Sequence, residues 1–176
     1  MVSFVITGPE STGKSDLAVR LSEHFNGLVV KEYARQYVEN LSGHYTFEDV
    51  ELIARQQIVD YNRARNKAGK EKPVFFDTFL IITKVWFEEV YNCCPLWLHH
   101  AIKTYKTDFA LLCAPDLPWN ADGVRENPHL REYLFDRYAR ELDRYGIPYS
   151  IVQGHGETRL LNAISIVEEF YQPVST

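Results

Sequence analysis

The chain has 176 residues, 45% of them hydrophobic and 24% charged, and a formal net charge of -5. That is enough for one domain with a real core, spanning 1–176, and the acidic balance without long runs of like charge excludes a protein that grips nucleic acid or a membrane surface by its overall field. No segment approaches the ~20 apolar residues of a bilayer span, the start MVSFVITGPE lacks the marks of a secretory leader, and a cytoplasmic protein with neither nucleic-acid nor membrane partner, free to form a homo-oligomer, is expected.

Short apolar runs alternate with longer helical stretches, which signals an α/β fold with a mostly parallel sheet. The first run, Val2–Thr7, reads as a strand, and Lys14–Phe25 as the helix behind it. Between them stands GPESTGKS, residues 8–15, which fits G-x-x-x-x-G-K-[ST] in the strand-to-helix setting that this motif requires. Gly8 and Gly13 let the backbone wrap so that N–H groups point at phosphate oxygens, and Glu10, Ser11 and Thr12 belong to the same cradle. Lys14 reaches the β- and γ-phosphates, the Ser15 hydroxyl is a ligand for Mg²⁺, and Asp16 sits in the first helical turn. ATP with Mg²⁺ is therefore the expected cofactor pair. The plainer reading, an accidental Gly/Ser-rich turn, does not account for the strand before it and the helix behind it.

A second strand, Leu28–Lys31, leads into a helix over Glu32–Asn40, and places Glu32 and Arg35 just past its C-terminal end, where open α/β sheets bind ligands. A long helix, Phe47–Ala68, follows; Thr46 caps it, Glu48 and Asp49 fill its first turn, and Gly69 and Pro73 close it. The third strand, Val74–Asp77, brings Asp77 to the same sheet edge, with Thr78 next to it and a helix over Thr78–Tyr91. Two carboxylates facing one phosphate cradle suit a division of labour, one holding Mg²⁺ and the other taking a proton from an attacking hydroxyl. The sequence leaves open which does which. It also allows Glu32 to be a solvated first-turn acid and Asp77 a mere helix cap.

Leu96–Lys106 reads as a helix and Phe109–Cys113 as the fourth strand. Beyond it PDLPWNADGVRENPHLR, residues 115–131, has no hydrophobic period. In P-loop kinases this position holds the lid, which closes over the phosphates, excludes water and delivers arginines, here Arg125 and Arg131. Arg131 also reads as an exposed helix residue. A helix over Pro128–Tyr145, a strand Tyr149–Val152 and a helix from Thr158 to Tyr171 complete the chain. The expected fold is a P-loop NTPase three-layer α/β/α sandwich: a five-stranded parallel sheet in the order 2-3-1-4-5, with a lid at about 115–131.

GPESTGKS, EYAR at 32–35, DTFLIIT at 77–83, PWNADGVR at 118–125 and GHGETRLLNAI at 154–164 together resemble the ribosylnicotinamide kinase domain of the NadR type. The resemblance spans nearly the whole chain. It implies transfer of the γ-phosphate of ATP to the 5′-hydroxyl of nicotinamide riboside, making nicotinamide mononucleotide in NAD salvage. It places Lys14, Glu32, Asp77 and Arg125 in the chemistry and Ser15 with Asp77 on the metal. Arg35, Thr78, Trp119, Asn120 and Asp122 would surround the riboside, with Asp122 preferred to Asp116 as the acid near the ribose or the cationic ring. Arg131 joins the nucleotide side, and Gly154 and Arg159 the loop against the adenine.

The chemistry of the stretch agrees with that placement. A tryptophan face suits a pyridinium, and Asn120 offers both a donor and an acceptor. Trp119 is otherwise a hydrophobic plug that anchors its loop. One departure is Phe79, where the family's D-T-D pattern has its second acid; this shifts the metal or base role towards Glu32. Family members often carry a preceding adenylyltransferase domain, and for this chain such an activity is expected on another polypeptide.

The scattered histidines and the cysteines, which lack a C-x-x-C pair, form no metal clamp, and the eleven tyrosines suit a core boundary. Rival readings are a regulatory P-loop ATPase and a kinase of another nucleoside or small metabolite.

Overall fold

The structure, a computed structural model, describes residues 1–69, 71–119 and 128–171. Its elements in chain order are β1 (Ser3–Thr7), α1 (Lys14–His24), β2 (Leu28–Val30), α2 (Tyr33–Glu39), α3 (Phe47–Ala68), β3 (Val74–Asp77), α4 (Leu80–Tyr91), α5 (Leu96–Thr104), β4 (Phe109–Cys113), α6 (Arg131–Tyr145), β5 (Tyr149–Val152) and α7 (Gly156–Phe170), with a short 3₁₀ turn at Pro128–Leu130 before α6. The strands form a parallel sheet in the order β2-β3-β1-β4-β5, the expected one.

Alternation along the central strands builds two cores, because successive side chains of a strand point to opposite faces. Phe4 and Ile6 of β1, Phe75 of β3 and Phe109, Leu111 and Cys113 of β4 face α1 and α7. Val5, Val74, Phe76, Ala110 and Leu112 face α3, α4, α5 and α6. With both faces covered, the strands read as unbroken apolar runs rather than polar–apolar alternation, as parallel sheets do.

Thr46 opens α3 as expected: its hydroxyl accepts from the Asp49 N–H at 3.3 Å, and its own N–H donates to Asp49 Oδ2 at 2.7 Å, a reciprocal capping box. Four helix starts differ from expectation: α6 begins at Arg131 after the 3₁₀ turn rather than at Pro128, α7 at Gly156 rather than Thr158, and the other two border the site. Helix α2 begins at Tyr33 with Glu32 in the capping position. Helix α4 begins at Leu80 rather than Thr78, because Thr78 takes a left-handed φ of 65° that no α-helix accommodates. Asp77 therefore does not cap α4, whose capping residue is Phe79. Among the described residues no helix is long and apolar enough to cross a membrane.

Candidate active site

β1 ends at Thr7 and the chain wraps through residues 8–13 before α1 starts at Lys14. The wrap depends on three left-handed positions, Gly8 (φ 134°), Ser11 (φ 56°) and Gly13 (φ 74°), the kind of backbone that turns successive N–H groups towards one point. Glycine is favoured at position 8 for a second reason. A Cβ there would stand 2.6 Å from the Cys113 carbonyl oxygen, so the loop lies directly on the end of β4. Lys14 Nζ and the Thr12 hydroxyl both donate to the Pro9 carbonyl, at 2.6 and 2.8 Å, which lays the ammonium across the loop. Asp16, in the first turn of α1, has a carboxylate 77% exposed that faces Arg20 one turn on, at 4.0 Å, where the helix dipole favours an acid.

Parallel pairing of β3 beside β1 sets Asp77 level with Ile6, one residue short of the loop. Asp77 is 5% exposed. Burial pushes its carboxyl above the ordinary aspartate value, opposed by hydrogen bonding from Ser15, the Lys14 charge, the Glu32 backbone N–H and Arg35. Its Oδ1 is buried and has no hydrogen-bond partner among the described residues. A buried carboxylate oxygen left over beside a serine hydroxyl, at the mouth of a phosphate loop, fits a hard divalent cation. The described residues contain no group of three or more His, Cys, Asp or Glu able to hold an ion, so such a cation takes its remaining ligands from phosphate oxygens and water.

Glu32 lies at the end of β2, and its side chain caps nothing. Burial pushes its carboxyl up; Lys14 opposes, and the neighbouring Asp77 adds to the rise. It is therefore not the solvated first-turn acid that the sequence allowed. Thr78 Oγ1 donates to Glu32 Oε1 over a long 3.4 Å. The left-handed threonine that makes this contact is strained by about 1–3 kcal/mol for a non-glycine residue, and its N–H is held by the Ile6 carbonyl at 3.0 Å. Arg35 lies close enough to act on both Glu32 and Asp77, while its Nε donates to Glu39 Oε1 at 3.0 Å. A cleft of about 470 Å³ runs from Glu32, Tyr33 and Gln36 down the outer edge of β2.

From the far side of the loop, Trp119 Nε1 donates to Glu10 Oε1 at 3.1 Å, which ties the indole to the phosphate loop. Arg131, at the start of α6, donates from Nη2 to the Ser11 carbonyl at 3.3 Å, and its Nε is buried without a hydrogen-bond partner among the described residues. It is thus turned to the loop rather than to solvent. Asn120, Asp122 and Arg125 lie outside the described residues, as do residues 120–127 of the stretch expected to be a lid.

Arg159, expected in the adenine loop with Gly154, lies beneath the Gly154 turn. It is 4% exposed, and its guanidinium holds Asp116 Oδ1 at 2.6 Å and the Gly154 and Ala114 carbonyls at 2.7 and 2.9 Å. Asp116 also accepts from the Gly154 N–H at 2.8 Å. Burial would raise the Asp116 carboxyl, but that N–H and Arg159 outweigh it and hold the group below its ordinary range. Arg159 is consequently a brace that shapes the Gly154 turn from beneath, and Asp116 is committed to it. Sequence reading also passed over Tyr138 of α6, a buried residue whose hydroxyl is pushed well above the usual tyrosine range by burial and then by Glu32 and Glu10. Only its place among eleven tyrosines was visible in the sequence.

The model of a family described as "AAA domain" matches residues 3–159. The trifunctional NAD biosynthesis/regulator protein NadR of Salmonella typhimurium is 28% identical over 127 residues, which are 68% of this chain and 30% of that protein. A crystal structure of NadR in complex with NAD and AMP-PNP superposes with a TM-score of 0.76 at 24% identity, covering 99% of this chain and 50% of that one. A second, of NadR in complex with NR, gives a TM-score of 0.74 at 24% identity, with 96% and 51% covered. The chain thus spans about a third to a half of the length of these relatives.

Proposed function

We propose that this chain, which belongs to the AAA domain family, is an ATP-dependent kinase that phosphorylates the 5′-hydroxyl of nicotinamide riboside. The observation that carries the reading is the pairing of two carboxylates, the buried Asp77 and the half-buried Glu32, both raised by desolvation and both within reach of Lys14 at one phosphate loop. A metal carboxylate and a separate group that takes the proton of the nucleophile are the machinery of phosphoryl transfer from such a loop. Similarity to a NAD biosynthesis protein and to NadR structures holding AMP-PNP and NR supports the choice of donor and acceptor.

In this reading the loop N–H groups and Lys14 hold the β- and γ-phosphates of ATP. The Ser15 hydroxyl and the unpartnered Asp77 oxygen would hold Mg²⁺. The cation supplies neutralisation of charge on the phosphate oxygens. Phe79 is buried in the core and brings no second acid, so the base is Glu32, poised by the Thr78 hydroxyl. The acceptor's 5′-oxygen forms a bond to the γ-phosphorus as the bond to the β,γ-bridging oxygen breaks, and the hydroxyl proton passes to the Glu32 carboxylate. ADP and the mononucleotide result. By the resemblance, Trp119, Asn120 and Asp122 have the role of binding the acceptor, and Arg125 and Arg131 that of meeting the transferring phosphoryl group.

The test is turnover of purified chain with ATP and Mg²⁺, with and without nicotinamide riboside, products being read by mass. Mononucleotide appearing in step with ADP is the expected result. ADP release at the same rate whether or not riboside is present overturns the proposal.

A further inference from the structure

Helix α4 reads LIITKVWFEEVY, an apolar run broken near its middle by Lys84, which is fully buried. A buried ammonium costs several kcal/mol unless it is paired. Lys84 is paired: Nζ hydrogen-bonds both Glu88 oxygens at 2.7 Å and lies 2.9 Å from Glu141 Oε2 of α6, an ion pair without hydrogen-bond geometry. Glu141 is itself 3% exposed. Arg137, one turn earlier on α6, contacts Glu88 at 2.6 Å, Glu89 at 3.3 Å and Glu141 at 3.7 Å, and the Tyr133 hydroxyl donates to Glu89 at 2.8 Å. Burial would raise the Glu88 carboxyl, but Lys84 and Arg137 outweigh it and keep it below its ordinary value, hence ionised at neutral pH.

Apolar contact alone would hold two helices together without this desolvation penalty, but it is non-directional and lets them slide and rotate. A buried ammonium hydrogen-bonded to Glu88 and ion-paired across to Glu141, with Glu88 also bonded by Arg137 of α6, does not. The two helices joined in this way are those whose first residues border the phosphate loop. α4 starts three residues after Asp77, and α6 starts at Arg131, which holds the Ser11 carbonyl.

We propose that the Lys84–Glu141 pair is a positioning device that fixes the register of α6 on α4, and through it the seat of Arg131 on the phosphate loop, so that the γ-phosphoryl group goes to the acceptor alcohol and not to water. This rests on the kinase reading above. Neither residue touches a reacting atom.

Lys84→Met alone leaves buried carboxylates underpaired and can fail to fold, so the informative variant is Lys84→Met with Glu141→Leu, which replaces the pair by apolar groups of similar size. Two readouts separate positioning from mere stability: mononucleotide formed per ADP released, and hydrogen-exchange protection of amides 131–135 in the presence of AMP-PNP. The expected result is a folded variant with a Tm near or above wild type, a coupling ratio lower by roughly tenfold as water gains access, and lost protection at the start of α6. A folded variant that keeps both the ratio and the protection overturns the inference. If wild type makes no mononucleotide yet the variant loses that protection, the kinase reading falls while the positioning role of the pair stands.

Discussion

Glu32 and Asp77 set the behaviour of the site at the scale of single residues. A carboxyl whose folded value is raised is protonated more readily in the folded chain than in the unfolded one, so its favourable contribution is complete below the unfolded value and is lost as pH rises through the folded value. Glu32→Gln removes that loss. The variant should melt at a higher temperature than wild type at pH 7, with the advantage vanishing below the ordinary glutamate range, and should transfer no phosphate. A Tm at pH 7 below that of wild type would contradict the burial argument. In the wild type, the acid limb of kcat/KM should lie above the ordinary glutamate value, because the base is ionised only there. Since Asp77 and Glu32 act on one another, the limb reports the pair rather than either acid. Trp119→Ala is expected to raise the acceptor KM by roughly tenfold, on the scale of one lost stacking contact, with kcat held within about twofold. An unchanged KM would remove Trp119 from the pocket.

Among the elements, the loop between β1 and α1 depends on the strand beneath it. Gly8→Ala places a methyl group 2.6 Å from the Cys113 carbonyl at a φ of 134°. Overpacking of this kind costs about 1–3 kcal/mol, so the variant should remain folded with a lowered Tm. Its affinity for an ATP analogue, read by calorimetric titration, should fall by more than the Tm shift alone would suggest. Strand order and helix positions were legible in the sequence because they follow from apolar runs, helical periodicity and one phosphate-loop motif, all of them local or repeated signals. Three features were not. The left-handed Thr78 moved the start of α4, and nothing in DTFLIIT announces it. Arg159 looked available to a ligand because its partner Asp116 lies 43 residues away, and Trp119 meets Glu10 across 109 residues. Lys84 did carry a signal, a lone cation inside an apolar helix, but only the fold could show what answers it.

For the molecule as a whole, the two cores on opposite faces of the sheet share β1, β3 and β4, and the loop is the continuation of β1. A ligand gripped there therefore stabilises the entire fold. An ATP analogue at a hundred times its Kd adds about 2.7 kcal/mol, and at about 2–4 °C per kcal/mol for a chain of this size the Tm should rise by roughly 5–10 °C. Lys14→Ala should abolish the rise while leaving the unliganded Tm nearly unchanged. A net charge of -5 gives no global pull on a polyanion, so that stabilisation comes from the cradle itself.

The close seat of Gly8 on Cys113 also supplies the chain with its own chemical clock. Cys93 is exposed, Cys94 is half-buried with its thiol pushed up to about 11 by burial, and Cys113 is shut beneath the loop, its thiol also raised by burial. Timed alkylation should therefore mark Cys93 first, Cys94 later and Cys113 only in molecules where the core beneath the loop and α1 has opened. If AMP-PNP slows the third modification while leaving the first untouched, the delay measures how often the core beneath the cradle opens.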